Sequence, residues 1–203
     1  MKVAVIGSFG RVGSRLVAEL VRRSHSVTGI GRNPPKSSSR AGFGVKQGDA
    51  TIPGLLAPLI TGHDAVISAT RFVTSDPNAL ISAVKQAGVG RLLVVGGAGS
   101  LEVAPGMTLR ETPGFPEAFA AEARAGAEFL QVLRKEKDLD WTFLSPSADF
   151  APGRRTGKFR IGRDELLSDE GGRSWISMED FSIAMVDELE HPLHTRQRFT
   201  VGY

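Results

Sequence analysis

Residues 2–13 read KVAVIGSFGRVG, a run of small and β-branched apolar residues that stops at the first of three glycines. The run predicts a strand, and a helical pattern follows the last glycine. Gly7 would let the strand turn tightly, Gly10 would let the main chain approach a pyrophosphate, and Gly13 would let the helix pack close to the strand. The unpaired N–H groups and positive dipole end of that helix would face the phosphates. The stretch therefore predicts a nucleotide clamp.

The sequence beyond the clamp favours this interpretation over a glycine-rich turn that only packs a helix on a strand. Leu16, Val17, Leu20 and Val21 form an apolar helix face, and residues 26–30 supply a second strand at βαβ distance. Further strands are predicted at 44–48, 64–70, 91–95 and 141–144, and helices from Pro53, over 76–87 and over 117–137. This alternation predicts an α/β fold, a doubly wound parallel sheet of the Rossmann type.

The pattern changes after Pro152. Residues 158–161 and 175–177 are predicted to form short antiparallel strands, and a helix over 178–190 and a strand over 198–201 follow. We expect a single domain over residues 1–203, in which 151–203 form a small α/β appendage on the substrate side.

The end of the second strand predicts which dinucleotide is preferred. NAD-specific folds usually place an acidic residue there to bind the ribose 2′-hydroxyl, whereas this chain has Arg32. A guanidinium offers a planar fork to a 2′-phosphate, so NADP(H) is predicted over NAD(H). Arg11, Asn33 and Lys36 would assist. The competing interpretation is a solvated loop charge.

Two further strand ends would line the crevice of such a sheet. Asp49 and Ala50 follow the third strand, where Asp49 would either receive the adenine amino group or cap the next helix. Ala69, Thr70 and Arg71 follow the fourth strand and would lie beside the nicotinamide ribose.

The fifth strand ends in Gly96-Gly97-Ala98-Gly99-Ser100. These glycines, Gly97 among them, would leave room for a flat ring, and Ser100 would be its neutral hydrogen-bond partner. The Pro- and Gly-rich residues 103–116 are predicted to form either a loop that covers the substrate or a passive connector.

Composition excludes several classes of chemistry. The chain has no cysteine, so disulfides, thiolate catalysis and cysteine-ligated metals are excluded. His25, His63, His191 and His194 are scattered, which predicts surface histidines and no metal site. The N-terminus enters a strand without a signal peptide, and no apolar run is long enough to span a membrane, so a cytoplasmic location is expected.

Charge is unevenly distributed along the chain. The first fifty residues carry nine Lys or Arg against Glu19 and Asp49, whereas the whole chain has a net charge of +3. Such a concentration of positive charge favours a polyanion. No nucleic-acid recognition motif accompanies it, so a phosphorylated nucleotide is the favoured ligand and nucleic acid is not expected.

Taken together, several stretches resemble the atypical short-chain dehydrogenase/reductases, specifically the small NAD(P)H-binding group that includes NADH–flavin reductases and biliverdin reductase B-like proteins, with nitrogen-metabolite-regulator-like relatives. The stretches are VAVIGSFGRVGSRLV, GIGRNP, QGDAT, DAVISAT, LLVVGGAGSL, LDWTFLSPSADF, TGKFRIG and WISMEDFSIAMVDELE. The resemblance implies cofactor contacts at Gly7, Phe9, Gly10, Arg11, Val12, Arg32, Asp49, Ala69, Thr70 and Pro146, with Ser100 by the nicotinamide.

The chain departs from the main superfamily in one respect. Most short-chain reductases use a Tyr-x-x-x-Lys acid, but the only tyrosine here is Tyr203, and no lysine follows it. Carbonyl reduction needs a proton at the developing alkoxide, whereas a flavin or quinone delocalises the charge and can take its proton from solvent. The sequence therefore predicts NADPH-dependent hydride transfer to a flat acceptor in which Ser100 orients the rings. An obligatory acid at Ser100 or Asp149 is the competing mechanism. A non-catalytic sensor of NADP(H) is the alternative function, and the protein would be a monomer or homodimer.

Overall fold

The computed structural model describes residues 1–35 and 41–203. The strands are β1 (Lys2–Ile6), β2 (Ser26–Gly31), β3 (Phe43–Gln47), β4 (Ala65–Ser68), β5 (Arg91–Val95), β6 (Glu102–Ala104), β7 (Met107–Thr108), β8 (Asp140–Ser145), β9 (Asp149–Ala151), β10 (Arg160–Gly162), β11 (Trp175–Ser177) and β12 (Gln197–Gly202). The helices are α1 (Gly13–Arg22), α2 (Pro53–Ile60), α3 (Pro77–Gln86), α4 (Glu117–Lys135) and α5 (Met178–Glu190).

Eight strands form one sheet in the order β3-β2-β1-β4-β5-β8-β12-β10, and every pair except β10–β12 is parallel. The chain moves outward from β1 to β3 and then crosses to β4, so the strand order reverses between β1 and β4. Ligands of open α/β sheets bind at this reversal, outside the carboxyl ends of the strands. The predicted doubly wound fold is confirmed.

Helices cover both faces of the sheet. On one face, α1 and α5 enclose an apolar cluster that includes Val5, Leu16 and Phe181. On the other face, α2, α3 and α4 enclose a second cluster that includes Leu56, Leu80 and Phe129. Because β1, β4, β5 and β8 are buried on both sides, they are almost continuously apolar.

The last quarter of the chain differs in part from prediction. The segment 160–162 pairs antiparallel to β12, as the sequence predicts, and the helix spans Met178–Glu190 as predicted. The segment 175–177 was wrongly predicted to be antiparallel, because β11 pairs parallel to β9 in a separate two-stranded sheet. The glycine pair Gly171-Gly172 is typical of a short turn between antiparallel strands, whereas a parallel pair needs the long connection found here between β9 and β11.

Residues 103–116 are more ordered than a plain loop. They contain the β6–β7 hairpin and a 3₁₀ turn, Leu109–Glu111, which begins with a capping box between Thr108 and Glu111. The Leu109 N–H donates to the Leu101 carbonyl oxygen at 2.8 Å, so the hairpin is tied to the buried chain after β5.

Candidate nucleotide site at the carboxyl edge of the sheet

The three glycines after β1 are required by close backbone packing. Gly7 has φ of 78°, and a Cβ built on it would lie 2.5 Å from the Ala69 carbonyl oxygen. A Cβ on Gly13 would lie 2.1 Å from the Gly7 carbonyl oxygen. Side chains at these two positions would therefore force α1 and the end of β4 away from the turn. Gly10, whose N–H donates to Gly7 at 3.0 Å, is exposed and leaves the turn open to a ligand.

The start of α1 presents donors that the described part of the chain does not use. Val12 occupies the N-cap without a side-chain hydrogen bond. Within residues 1–35 and 41–203, the N–H groups of Arg11, Val12 and Gly13 have no acceptor. Free N–H groups at a helix start, together with the helix dipole, stabilise a bound phosphate. Phe9 lies beside this turn, where its ring would be 2.8 Å from a Cβ on Gly31.

Arg32 lies immediately after β2, the position that the sequence predicts to contact the 2′ group of the ribose. Its backbone is braced, since Gln47 Nε2 donates to the Arg32 carbonyl oxygen at 2.9 Å and Gly48 N–H donates to Gly31 at 3.1 Å. Both Arg32 and Asn33 are exposed. The expected helper Lys36 lies outside the described residues.

Asp49 is held by its own turn. Its Oδ1 accepts from Thr51 N–H at 2.9 Å and from Thr51 Oγ1 at 2.8 Å. These backbone and hydroxyl donors lower the pKa of Asp49, and the charge of Arg32 lowers it further. The helix-cap interpretation of Asp49 is wrong, because α2 begins at Pro53 with Ile52 at its N-cap. Asp49 instead lies close enough to Arg32 to feel its charge, and the half-buried Ala50 packs against the apolar cluster under α2.

The residues after β4 form the opposite wall. Ala69 contacts the clamp through Gly7, as described above. Thr70 Oγ1 lies 3.0 Å from Ser68 Oγ and accepts from Ser75 Oγ at 2.8 Å, so three hydroxyls form a chain at this strand end. Arg71 is exposed, with its Nε 3.7 Å from Glu122 Oε2.

The glycines after β5 were predicted to leave room for a ring, which is wrong for Gly96 and Gly99, because neighbouring side chains fill that space. A Cβ on Gly96 would lie 2.4 Å from the Phe143 ring, and one on Gly99 would lie 2.6 Å from Ala123 of α4. Gly97 between them is half-buried. Pro146, which directly follows the neighbouring strand β8, is buried. Ser100 ends the 3₁₀ turn Ala98–Ser100 and is half-buried.

The sequence did not predict that Arg198 contacts Ser100. Arg198 of β12 donates from Nη1 to Ser100 Oγ at 3.2 Å. Arg198 is separated from Ser100 by 98 positions in the sequence. The only local signal is that Arg198 and Thr200 alternate with apolar residues in a buried strand, which indicates an enclosed side chain.

Tyr203 follows β12, and its hydroxyl is engaged by the start of α5. Its hydroxyl lies 2.7 Å from Asp180 Oδ2 and 2.8 Å from Ser177 Oγ at the start of α5. Burial and the Asp180 carboxylate raise the pKa of Tyr203, against the opposing effect of Ser177. Asp180 also accepts from Thr156 N–H and Gly157 N–H, so this carboxylate fastens residues 156–157 onto α5.

The excess of positive charge in the first fifty residues is partly neutralised by the fold. Arg15 lies 2.6 Å from Glu179, and Arg23 contacts Asp187 and Glu190 at 2.7 Å each. All three carboxylates belong to α5. Charges that are distant in sequence therefore compensate across the α1–α5 contact, and the sequence overstates the field available to a polyanion.

The prediction of surface histidines holds for the exposed His191 and is wrong for the other three, which have protein partners. His25 is buried and lies 2.8 Å from Glu190, His63 lies 2.8 Å from Thr28 Oγ1, and His194 lies 2.8 Å from Glu188. In the described ranges, no group of three or more His, Asp or Glu is arranged to hold a metal ion. No helix within those ranges is long and apolar enough to cross a membrane.

Comparison with known proteins agrees with this geometry. Residues 7–192 match the model of a family described as NAD(P)H-binding. An uncharacterized protein of Bacillus subtilis strain 168, YwnB, is 40% identical over 211 residues, which cover 99% of this chain and 98% of the relative.

Solved structures extend the comparison. A "Putative exported protein" of Burkholderia pseudomallei is 43% identical with a TM-score of 0.91, and the match covers 100% of both chains. A "putative NADH-flavin reductase" of Streptococcus pneumoniae TIGR4 is 37% identical with a TM-score of 0.85, and the match covers 100% of this chain and 99% of that one. The fold is a doubly wound α/β fold of the Rossmann type, and the candidate dinucleotide site lies at its carboxyl edge. The chain belongs to the NAD(P)H-binding family.

Proposed function

We propose that the protein is an NADPH-dependent oxidoreductase that transfers hydride to a flat conjugated acceptor, such as a flavin or a quinone. The observation that carries this proposal is the carboxyl edge of the sheet. There, N–H groups after β1 have no acceptor among the described residues, and the chain's only tyrosine is bound to Asp180.

The chain's own residues would bind and orient the dinucleotide. The free N–H groups of α1 would hold the pyrophosphate, and Arg32 would hold the 2′-phosphate of NADPH as a planar ionic fork. The nicotinamide end of the dinucleotide would lie against Ala69, Thr70 and Pro146. The bound nicotinamide supplies the hydride, while the protein supplies position and electrostatic environment.

The source of the proton that the reduced acceptor needs would decide which acceptors can react. With Tyr203 engaged at α5, no tyrosine and lysine pair delivers a proton at the carboxyl edge. A carbonyl substrate needs that proton at its developing alkoxide, whereas a conjugated ring spreads the charge until solvent protonates it. The half-buried Gly97, where the nearest atom to a built Cβ is 3.7 Å away, would lie against such a ring, and Ser100 would orient it.

A sensor of NADP(H) would share the clamp and differ only in lacking turnover. Anaerobic NADPH oxidation with FMN, FAD, riboflavin and small quinones separates the two functions. We expect turnover with at least one acceptor, and a parallel titration must show NADPH binding. Binding without oxidation by any acceptor would contradict the enzyme and favour the sensor. Because the sequence predicts a cytoplasmic protein, whereas the Burkholderia relative is named as exported, cell fractionation tests the location.

A further inference from the structure

The hydroxyl of Ser100 is held by a buried arginine. Arg198 donates from Nη1 to Ser100 Oγ at 3.2 Å and from both Nη1 and Nη2 to the Ser100 carbonyl oxygen at 3.3 Å. Arg198 lies on β12 and is only 7% exposed. A guanidinium has donors and no acceptor, so one lone pair of the serine oxygen is occupied and its O–H is left to donate elsewhere.

The arginine is itself anchored from behind. Its Nε donates to Asp164 Oδ1 at 2.7 Å, its Nη2 contacts the same carboxylate, and Arg134 of α4 shares that oxygen at 3.2 Å. The exposed Glu102 is the next carboxylate, and no hydrogen bond joins it to Arg198. Burial lowers the pKa of Arg198 despite Asp164, but an arginine remains charged near neutral pH. A poorly hydrated cation therefore stands directly behind the Ser100 hydroxyl.

This arrangement suits the charge that hydride transfer creates. The transfer breaks a C–H bond of reduced nicotinamide together with its electron pair, forms a new bond to hydrogen on the acceptor, and oxidises the nicotinamide. Negative charge appears on an oxygen or nitrogen conjugated with the reduced position, and a proton from solvent neutralises it afterwards. A donor fixed where charge develops stabilises the transition state, and a serine polarised by a cation is a stronger donor than a free serine.

We propose that Arg198 is a positioning residue that makes the Ser100 hydroxyl a one-way hydrogen-bond donor to the acceptor atom on which negative charge develops. The inference rests on the proposed function, since it assigns a role to a pair of residues beside the same nicotinamide site.

Double-mutant kinetics test the pair. Arg198→Gln and Ser100→Ala are each expected to lower kcat for a quinone about 10-fold, with the Kd for NADPH unchanged, because each removes the same polarised donor. The double variant should lose no more than the larger single loss, since the residues act as a unit. Losses that multiply, or a normal kcat in Arg198→Gln, would overturn the proposal.

Arg91→Gln is the matched control. Arg91 is also a buried arginine on a carboxylate, with Nη2 3.0 Å from Glu188, but it begins β5 at the opposite edge of the sheet. Its variant should lower Tm and leave kcat unchanged. If Arg198→Gln does not fold, Arg198→Lys replaces it, and an intermediate loss of kcat is expected because an ammonium cannot act as a fork.

A second measurement does not need turnover. The probe is 4-nitrophenol, whose phenolate resembles a reduced quinone, added to the NADP⁺ complex and titrated by absorbance. The wild-type protein should lower the pKa of the bound phenol, and Arg198→Gln should abolish most of that shift. Absence of binding, or an equal shift in both proteins, would contradict the role of Arg198. Failure of the proposed function would instead appear as bound NADPH that no acceptor oxidises, with the phenol shift intact.

Discussion

The two edges of the sheet use polar groups in opposite ways. At the amino edge, Glu188 binds Arg91 at 3.0 Å and His194 at 2.8 Å, and the Met1 ammonium lies 3.3 Å from His25. At the carboxyl edge, the start of α1 carries N–H groups without acceptors among the described residues. Within those same residues the exposed Arg32 forms no ion pair, although its charge acts on Asp49. Buried charges are tolerated only when paired, so the amino edge serves stability. Unpaired donors persist where a ligand completes them, so the carboxyl edge serves binding.

The largest effect is expected from the amino edge. Glu188→Ala leaves Arg91 buried without its carboxylate and removes the acceptor of Leu193 N–H and His194 N–H. Breaking a buried pair from one side costs about 3–5 kcal/mol of unfolding free energy. Urea unfolding measures the loss. Asp138→Ala, which removes an exposed partner of Lys85, is the control and should change stability little.

If Glu188→Ala weakened NADPH binding under conditions where the variant is folded, the claim that the amino edge serves stability and not binding would be contradicted. Equal stability of Glu188→Ala and the wild type would show that the amino-edge pairs do not stabilise the fold.

The next effect is expected at the clamp. Gly7→Ala places a methyl group on backbone with φ of 78°, 2.5 Å from the Ala69 carbonyl oxygen. Strain and overpacking of this kind cost about 1–3 kcal/mol, which corresponds to about 5- to 150-fold weaker NADPH binding if the turn must reopen. Gly54→Ala in α2, where a Cβ meets nothing within 4 Å, is the control. Fluorescence titration of both variants decides whether the turn is a clamp, because equal affinities would contradict it.

Local patterns explain why the clamp was predictable and its surroundings less so. The turn after β1 depends on glycine spacing within twelve residues, and α5 begins and ends at the residues that its pattern predicts. By contrast, Arg198 meets Ser100 across 98 positions, and the parallel pairing of β9 with β11 depends on how the chain returns. Such contacts are set by the assembled tertiary structure, and periodicity records only that these residues face inward.

A smaller effect sharpens the choice of dinucleotide. Arg32→Ala should weaken NADPH binding about 10-fold and leave NADH binding nearly unchanged, because only NADPH carries the phosphate that a charge-assisted fork would hold. Arg124→Ala, which removes an exposed charge from α4, controls for the change in net charge. Isothermal titration with both dinucleotides measures the preference. Equal affinities of the wild-type protein for the two would refute the assignment of Arg32.

The smallest effect is a pH dependence of stability at the amino edge. Burial would raise the pKa of Glu188, but hydrogen bonds from His194 and backbone N–H groups outweigh it, so the folded pKa lies below the ordinary value. A lowered folded pKa stabilises the protein above the unfolded pKa, near 4.3, and this stability is lost as pH falls through the folded value. Tm should therefore fall on acidification from about pH 5, less steeply in Glu188→Gln. If the Tm of the wild type and of Glu188→Gln fell in parallel with pH, Glu188 would not be a source of the pH-dependent stability.

Hydrogen exchange with and without NADPH compares both edges in one experiment. We expect NADPH to slow amide exchange in peptides that cover the turn after β1, where N–H groups gain an acceptor, and in those covering the end of β2 and residues 69–71, which the dinucleotide would shield from solvent. Peptides around Glu188 and His194 should exchange as before. Protection confined to the carboxyl edge is the result predicted. Protection at the amino edge alone, or no protection at the turn after β1 when NADPH is bound, would contradict the assignment of the dinucleotide site.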